Sequence, residues 1–381
     1  MLNYIKDIRM IEIESTSDCN ARCPACSRTR FPETYDSKSI PLSDFKKIFN
    51  TPEMIQGKRF QFFGVLGDPI LNPDCLEISE FLIENGGHVR LSTNGGYGSK
   101  NFWDKLGQLS HDTQKLMVTF SVDGHRQTNY IYRIGTKFDI IERNMDIFTK
   151  SGKRNVQGEW IYLLFDHNLK EIKKAEEHAG ILGLKFAIKL SLRNISEVTK
   201  DDLIKFIPQN LLKTIPNVTY NQSGFIDSSL ADLKEEIISK TNSKSYPANI
   251  NPAIFDTITC RYYDEKRLFL AHNKTLWPCC FLWDSYFSRN IRKSGMPVNV
   301  FDEYESGFNS LEKHSIQKVL DHVWFSKDLK ESWFPNHKNH IKKCVRSCAK
   351  FQSFRDKLID IKVLNQILKD IDGKINPKNR Y

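Results

Sequence analysis

Nothing in this sequence is long and apolar enough to cross a bilayer. The longest apolar runs, Trp160 to Phe165 and Leu268 to Ala271, fall far short of the roughly 20 residues that a membrane-spanning helix needs. Residues 1 to 9 carry Lys6, Asp7 and Arg9 and lead into an alternating segment, without the apolar stretch and cleavage site of a secretory leader. A cytoplasmic protein with no membrane span is therefore expected. Internal repeats and long low-complexity tracts are missing too, which excludes a stacked repeat array. Without a leader to an oxidising compartment, the nine cysteines do not read as a disulfide framework. They point instead to metal or redox chemistry.

The chain is 40% hydrophobic and 12% aromatic over 381 residues, enough for one large core and a smaller second unit. Its formal charge of +10 suits an anionic ligand or partner, and is equally an ordinary route to solubility. The basic residues are spread along the chain, so nucleic acid is not a favoured partner.

In the first half, short apolar strands alternate with helical patterns, as parallel strands joined by helical crossovers do. Strands are expected at Met10 to Glu14, Phe60 to Phe63, His88 to Ser92, Leu116 to Val122, Trp160 to Phe165 and Lys185 to Leu192. Helices are expected at Ser43 to Asn50, with Ser43 as N-cap, at Cys75 to Asn85, Phe138 to Thr149 and Leu169 to Leu182. The fold class is therefore α/β, a partial (β/α)6 barrel left open on one side. Its domain would span residues 1–214. Residues 215–254 dissolve into Asn, Ser, Lys and Pro around one helical stretch near Ser229 to Ser239 and read as a connecting segment. Residues 255–381 hold aromatic-rich strands, clustered cysteines and an amphipathic helix near Phe351 to Ile371, and read as a metal-supported second domain. The tail from Lys374 is expected to fray.

Barrels of this kind bind ligands beyond the C-terminal ends of their strands. Polar and glycine-rich loops gather at that rim here. After the first strand come Cys19, Cys23 and Cys26, spaced Cys-x3-Cys-x2-Cys. Zinc sites commonly close with four protein ligands. Three thiolates so closely spaced can instead cap three corners of a [4Fe-4S] cube and leave the fourth iron for an outside molecule. Zinc with a distant fourth ligand, or cysteines with no shared role, are the alternatives.

With that loop directly after a first strand, the chain resembles the radical S-adenosylmethionine (radical SAM) superfamily over roughly residues 8 to 195. The resemblance implies an open six-unit barrel and a [4Fe-4S] cluster on the three cysteines. It also implies an S-adenosylmethionine whose amine and carboxylate chelate the open iron. An electron passed through the cluster would then yield a 5'-deoxyadenosyl radical that takes hydrogen from substrate, with an electron donor such as flavodoxin or ferredoxin. Ala25 departs from the aromatic or larger apolar residue that the family usually places there.

Gly64-Val65-Leu66-Gly67-Asp68-Pro69, after the second strand, resembles the family's Gly-Gly-Glu type motif, which receives the methionine amine. Gly64 and Gly67 would let backbone approach the ligand, and Asp68 would accept from the ammonium. Ser92, Thr93 and Asn94 end the third strand, and Ser121 and Asp123 the fourth. The resemblance gives these positions the ribose hydroxyls and the methionine carboxylate, although Asn94-Gly95 and Asp123-Gly124 are also plain turn formers. Arg133 resembles the Arg of an Arg-x-Gly-x-Phe element, with one extra residue before Phe138, and could clamp a carboxylate. A surface ion pair is the plainer alternative.

Trp277-Pro278-Cys279-Cys280 resembles the Pro-Cys-Cys element of SPASM and twitch domains, which carry auxiliary [4Fe-4S] clusters. Five C-terminal cysteines fit the one-cluster, twitch-like form. The ligands expected are Cys260, Cys279, Cys344 and Cys348, with Cys280 as neighbour or alternate. Lys274 stands where the family's Gly would precede Cys279. Zinc competes for this second site, with His337 and His340 nearby. Cys75, in a helical pattern, reads as a small buried hydrophobe.

The function expected is a radical SAM oxidoreductase or transferase acting on a peptide or an anionic small molecule. Two other classes stand beside it. A zinc-stabilised nucleic-acid-binding protein would use the charge and the clustered cysteines, and a two-cluster electron-transfer protein would leave the three-ligand loop and the glycine-rich rim without a role.

Overall fold

The computed structural model describes residues 5–32, 36–190, 258, 260–288, 296–297, 299–334, 336–348 and 358–359. Six strands, β1 (Met10–Ile13), β2 (Arg59–Phe62), β3 (His88–Thr93), β4 (Leu116–Ser121), β5 (Gln157–Leu164) and β6 (Lys185–Leu190), pair in parallel in chain order. Helices cross between them, and β1 and β6 do not meet, so the α/β fold is a partial (β/α)6 barrel, open on one side.

The C-terminal part adds to the same sheet. Strand β7 (Arg267–Leu270) lies parallel to β1 on its outer edge, and β8 (Leu276–Trp277) turns back antiparallel to β7. At the other edge, β9 (Leu358–Ile359) runs antiparallel to β6. That pairing replaces the helix expected across these two residues. The remainder of the helix expected over residues 351–371, the segment 215–254 and the tail from Lys374 lie outside the described residues.

Alternation divides each barrel strand between two faces. One carries Ile11, Ile13, Phe60, Phe62, Val89, Leu91, Val118, Phe120, Trp160 and Tyr162, all buried with helix residues such as Phe45, Trp103 and Phe148. On the inner face, several partners in register are polar and charged: Glu12 beside Gln61, Gln61 beside Arg90, and Thr119 beside Glu159, while Lys189 lies beside the apolar Leu163. Arg90 bonds Glu159 at 2.6 Å and Thr119 at 2.9 Å, and Arg267 bonds Glu12 at 3.1 Å. A barrel lined this way presents polar groups inward rather than a second apolar core.

One local expectation changes. The helix after the cysteine loop is Leu42–Ile48, and Pro41, not Ser43, occupies its N-cap position. Proline offers no side-chain acceptor, and Asp74 supplies one from afar, taking the Leu42 N–H at 2.8 Å. Lys274, which stands where the resembled family has glycine, has φ 60°, the left-handed conformation that glycine adopts without strain. Ion pairs from its ammonium to Asp44 and Glu312 hold it in the β7–β8 turn.

Candidate active site

The loop Cys19–Cys26 leaves the C-terminal end of β1, and each of its three sulfurs meets a different rim segment. Asn94, after β3, points its amide at Cys19 Sγ (3.7 Å). Arg133, beyond β4, points its guanidinium at Cys23 Sγ (3.9 Å). Val65, after β2, offers its carbonyl to Cys26 Sγ (3.7 Å). The turn is tightened by Cys26 N–H donating to the Cys23 carbonyl at 3.0 Å and by Arg28 capping the Ala21 carbonyl. Asn20 bonds Asn94 at 2.8 Å and the Gly96 carbonyl at 3.1 Å, which ties the loop to the end of β3.

An apolar cluster closes over this loop. Ile131, Tyr132, Ile134 and Phe165 are buried with Ala21 and Cys23, and Tyr130 and Leu163 pack against them with Ala25. Burial, followed by the Asp68 carboxylate and the Cys23 thiol, pushes the Cys19 thiol up to about 12.

The Gly64–Asp68 turn is built for backbone contact. A Cβ on Gly64 would fall 1.5 Å from the Gly67 carbonyl oxygen, and one on Gly67 would fall 1.9 Å from the Thr16 oxygen. Asp68 N–H donates to the Asp18 carbonyl at 2.7 Å, and Leu66 N–H donates to Glu14 Oε1 at 2.6 Å. The Asp68 carboxylate accepts the Asn94 N–H at 2.7 Å and the Ile70 N–H at 3.3 Å, so it braces one rim loop against the next. Burial raises its pKa, and these bonds oppose the rise.

The other rim residues divide into engaged and open groups. Thr93 accepts the Gly95 N–H at 3.0 Å, and Asn94 accepts the Gly96 N–H at 2.8 Å. Asp123 is fully buried, its carboxylate shared between Arg133 Nε at 2.6 Å and Leu163 N–H at 2.8 Å. Arg133 is thus in a buried ion pair rather than a surface one, aimed at the cysteine loop. Its pKa is raised: burial works against the charge, and Asp123 and Cys23 outweigh it. Ser92 and Ser121 are half-buried on the inner face, and neither hydroxyl bonds another of the described residues.

A second convergence lies in the C-terminal part. Cys260, Cys279, Cys344 and Cys348 line one cavity with Pro278, Leu329 and Trp333. Burial pushes the Cys260 thiol up to about 12 and raises Cys279 and Cys344 as well, the neighbouring thiols adding to each rise. Cys280 is not in that lining. Burial, and then the Glu12 carboxylate, hold its thiol well above its ordinary value. His337 and His340 bond Asn339 N–H and the Ser332 carbonyl instead of facing the cavity. Cys75 is 1% exposed inside the helix Cys75–Glu84. Among the described residues, no three His, Cys, Asp or Glu side chains close to the spacing of ligands on a single metal ion. In a cubane each thiolate binds its own iron, so its ligands stand further apart.

The radical SAM superfamily model matches residues 13–179, from the end of β1 through the crossover after β5. Over that stretch, somewhat less than half of its length, the chain is similar to the radical SAM superfamily. The cysteine loop and the rim lie inside the matched region. A curated relative from Pyrococcus furiosus, a tungsten-containing aldehyde ferredoxin oxidoreductase cofactor-modifying protein, is 26% identical over 116 residues. That match takes in 30% of this chain and spans less than a third, 31%, of the relative. Streptococcus suis SuiB bound to S-adenosylmethionine superposes with a TM-score of 0.52 at 14% identity, over 91% of this chain and 71% of that one. SuiB bound to its precursor peptide SuiA gives 0.51 at 12% identity, over 92% and 76%. At these identities the likeness is one of fold. Among the described residues no helix is long and apolar enough to cross a membrane.

Sequence reasoning missed Glu14, which reaches the glycine turn, and the contact of Ser27 Oγ with Asp284 Oδ1 (2.5 Å), which sets the helix Cys280–Phe287 beside the cysteine loop. The signal for Glu14 was present. It is the second carboxylate on the inner side of Met-Ile-Glu-Ile-Glu, where charge needs a reason.

Proposed function

We propose that Cys19, Cys23 and Cys26 hold a [4Fe-4S] cluster, and that the enzyme cleaves S-adenosylmethionine there and takes hydrogen from a peptide or an anionic small molecule. The observation that carries this is the meeting of three sulfurs with three separate rim loops at the C-terminal ends of parallel strands. The donor set fits: three clustered thiols, no fourth cysteine beside them, and an apolar cover. The chemistry supplied by the cluster is one-electron reduction of the sulfonium, which releases methionine and a 5'-deoxyadenosyl radical.

The rest is the work of this chain's own groups. The turn from Gly64 to Leu66 brings backbone within reach of the methionine amine, and Ser92 and Ser121 offer hydroxyls to the ribose. Asp68, Thr93 and Asn94 brace the rim, and Asp123 positions Arg133 beside Cys23. Tyr132, Ile134 and Phe165 exclude water from the loop. On the inner face Arg90 and Arg267 are matched by Glu159 and Glu12, and Lys189 would be the cation offered to a substrate that carries carboxylate or phosphate. A peptide is consistent with the SuiB fold. Cys260, Cys279, Cys344 and Cys348 would hold an auxiliary, twitch-like [4Fe-4S] cluster, with a flavodoxin or ferredoxin as electron donor in the cytoplasm.

The test is direct. Anaerobically reconstituted protein with dithionite and S-adenosylmethionine is expected to form 5'-deoxyadenosine. Repeated failure to do so with the cluster intact would overturn the reading.

A further inference from the structure

Glu14 is buried at the end of β1, outside both cysteine groups, and its carboxylate joins three segments distant in sequence. Oε1 accepts the Leu66 N–H at 2.6 Å, Oε2 accepts the Trp283 Nε1–H at 3.0 Å, and His272 Nδ1 lies 2.9 Å from Oε2. The Glu14 and His272 side chains are 0% and 5% exposed, and the His272 ring packs edge-on to Trp283 at 5.7 Å. Trp283 sits in the helix Cys280–Phe287, which begins directly after Cys279, and His272 follows β7.

The other end of this junction is the glycine turn. Its neighbours in the strand-to-loop segment are close on every side: Gly67 has no room for a Cβ against the Thr16 oxygen, and Asp68 N–H bonds the Asp18 carbonyl at 2.7 Å. Glu14, Thr16 and Asp18 therefore hold the turn along one line, and Glu14 is itself held by two groups from the C-terminal part. A buried carboxylate with both oxygens engaged by three partners is held in place, which is what a binding backbone needs from its support.

We propose that Glu14 is a positioning residue for S-adenosylmethionine: it fixes the Leu66 turn against the cysteine loop, while His272 and Trp283 fix Glu14, so the C-terminal part sets the barrel's affinity for this ligand. The inference rests on the reading that the Gly64–Asp68 turn receives the methionine amine.

Two variants test it, Glu14→Gln and Trp283→Phe. The second deletes one N–H and keeps an aromatic ring, so it decides the matter should the first fail to fold. Binding of S-adenosylmethionine is measured by anaerobic equilibrium dialysis, and the EPR spectrum of the reduced protein is recorded with and without the ligand. Iron content and the denaturation midpoint serve as controls. The dissociation constant is expected to rise about tenfold for Glu14→Gln and roughly three- to tenfold for Trp283→Phe, as for a loss near one hydrogen bond. Iron content should hold, and the ligand-induced spectral change should differ from that of the unaltered protein. Unchanged affinity and spectrum in the variants, beside a clear response in the unaltered protein, would overturn the inference alone. No response in the unaltered protein would remove the reading of the turn and the inference with it.

Discussion

Replacing Cys23 by alanine should lower 5'-deoxyadenosine formation by more than about 100-fold, since partners outside the ligand set at metal sites are already worth about 10–100-fold. Cys23 is buried beneath Tyr132 and Phe165, with the Arg133 guanidinium 3.9 Å from its sulfur. Alanine there would take away one of the three proposed ligands and the sulfur that Arg133 faces. Anaerobic assay by liquid chromatography, with iron counted in parallel, gives the result. Activity within a few-fold of the unaltered protein would show that the cluster does not use this sulfur.

Cys344→Ala is expected to strike a different property. Four thiols share one cavity under Leu329 and Trp333, where burial and then the neighbouring thiols oppose ionisation, and a bound metal centre would offset both. Loss of one ligand should lower iron from about eight atoms per chain to about four, as expected for two four-iron clusters reduced to one. Stability should fall by about 4 kcal/mol or more, because metal binding and folding are coupled there. Cys280→Ala, whose sulfur is not in the cavity lining, should leave both quantities close to their starting values. Iron analysis and anaerobic thermal denaturation distinguish the outcomes, and zinc in place of iron would identify the competing metal.

The parts of this molecule that show in its sequence are those set by local pattern. Apolar alternation around Phe60, Leu91, Val118 and Trp160 marks the strands, because one face of each must lie under helices. The cysteine loop and the Gly64–Asp68 turn show for a similar reason, their chemistry being carried within eight residues or fewer. What escaped depends on distance along the chain. The Leu42 helix takes its cap from Asp74, and β7 finds β1 across more than 250 residues, Met10 pairing with Arg267. The Glu14 junction likewise spans |i−j| of 258 to His272 and 269 to Trp283. Asp123 and Arg133 were each visible as charged rim residues, but nothing local says that they would satisfy each other. Lys274 shows the converse. Its left-handed φ keeps the turn that a glycine would make, and only the tertiary partners Asp44 and Glu312 explain a lysine there.

If the N-terminal thiolates hold a [4Fe-4S] cluster, one iron is left without a protein ligand, open to the amine and carboxylate of S-adenosylmethionine. Electron-nuclear double resonance on the reduced protein, with S-adenosylmethionine labelled with nitrogen-15 at the methionine amine, addresses this most directly. A hyperfine coupling from the label, absent when Cys19, Cys23 and Cys26 are replaced by alanine, is the result expected. A reduced cluster with no coupling to the label, or a protein that binds no iron at these three residues, would contradict the account.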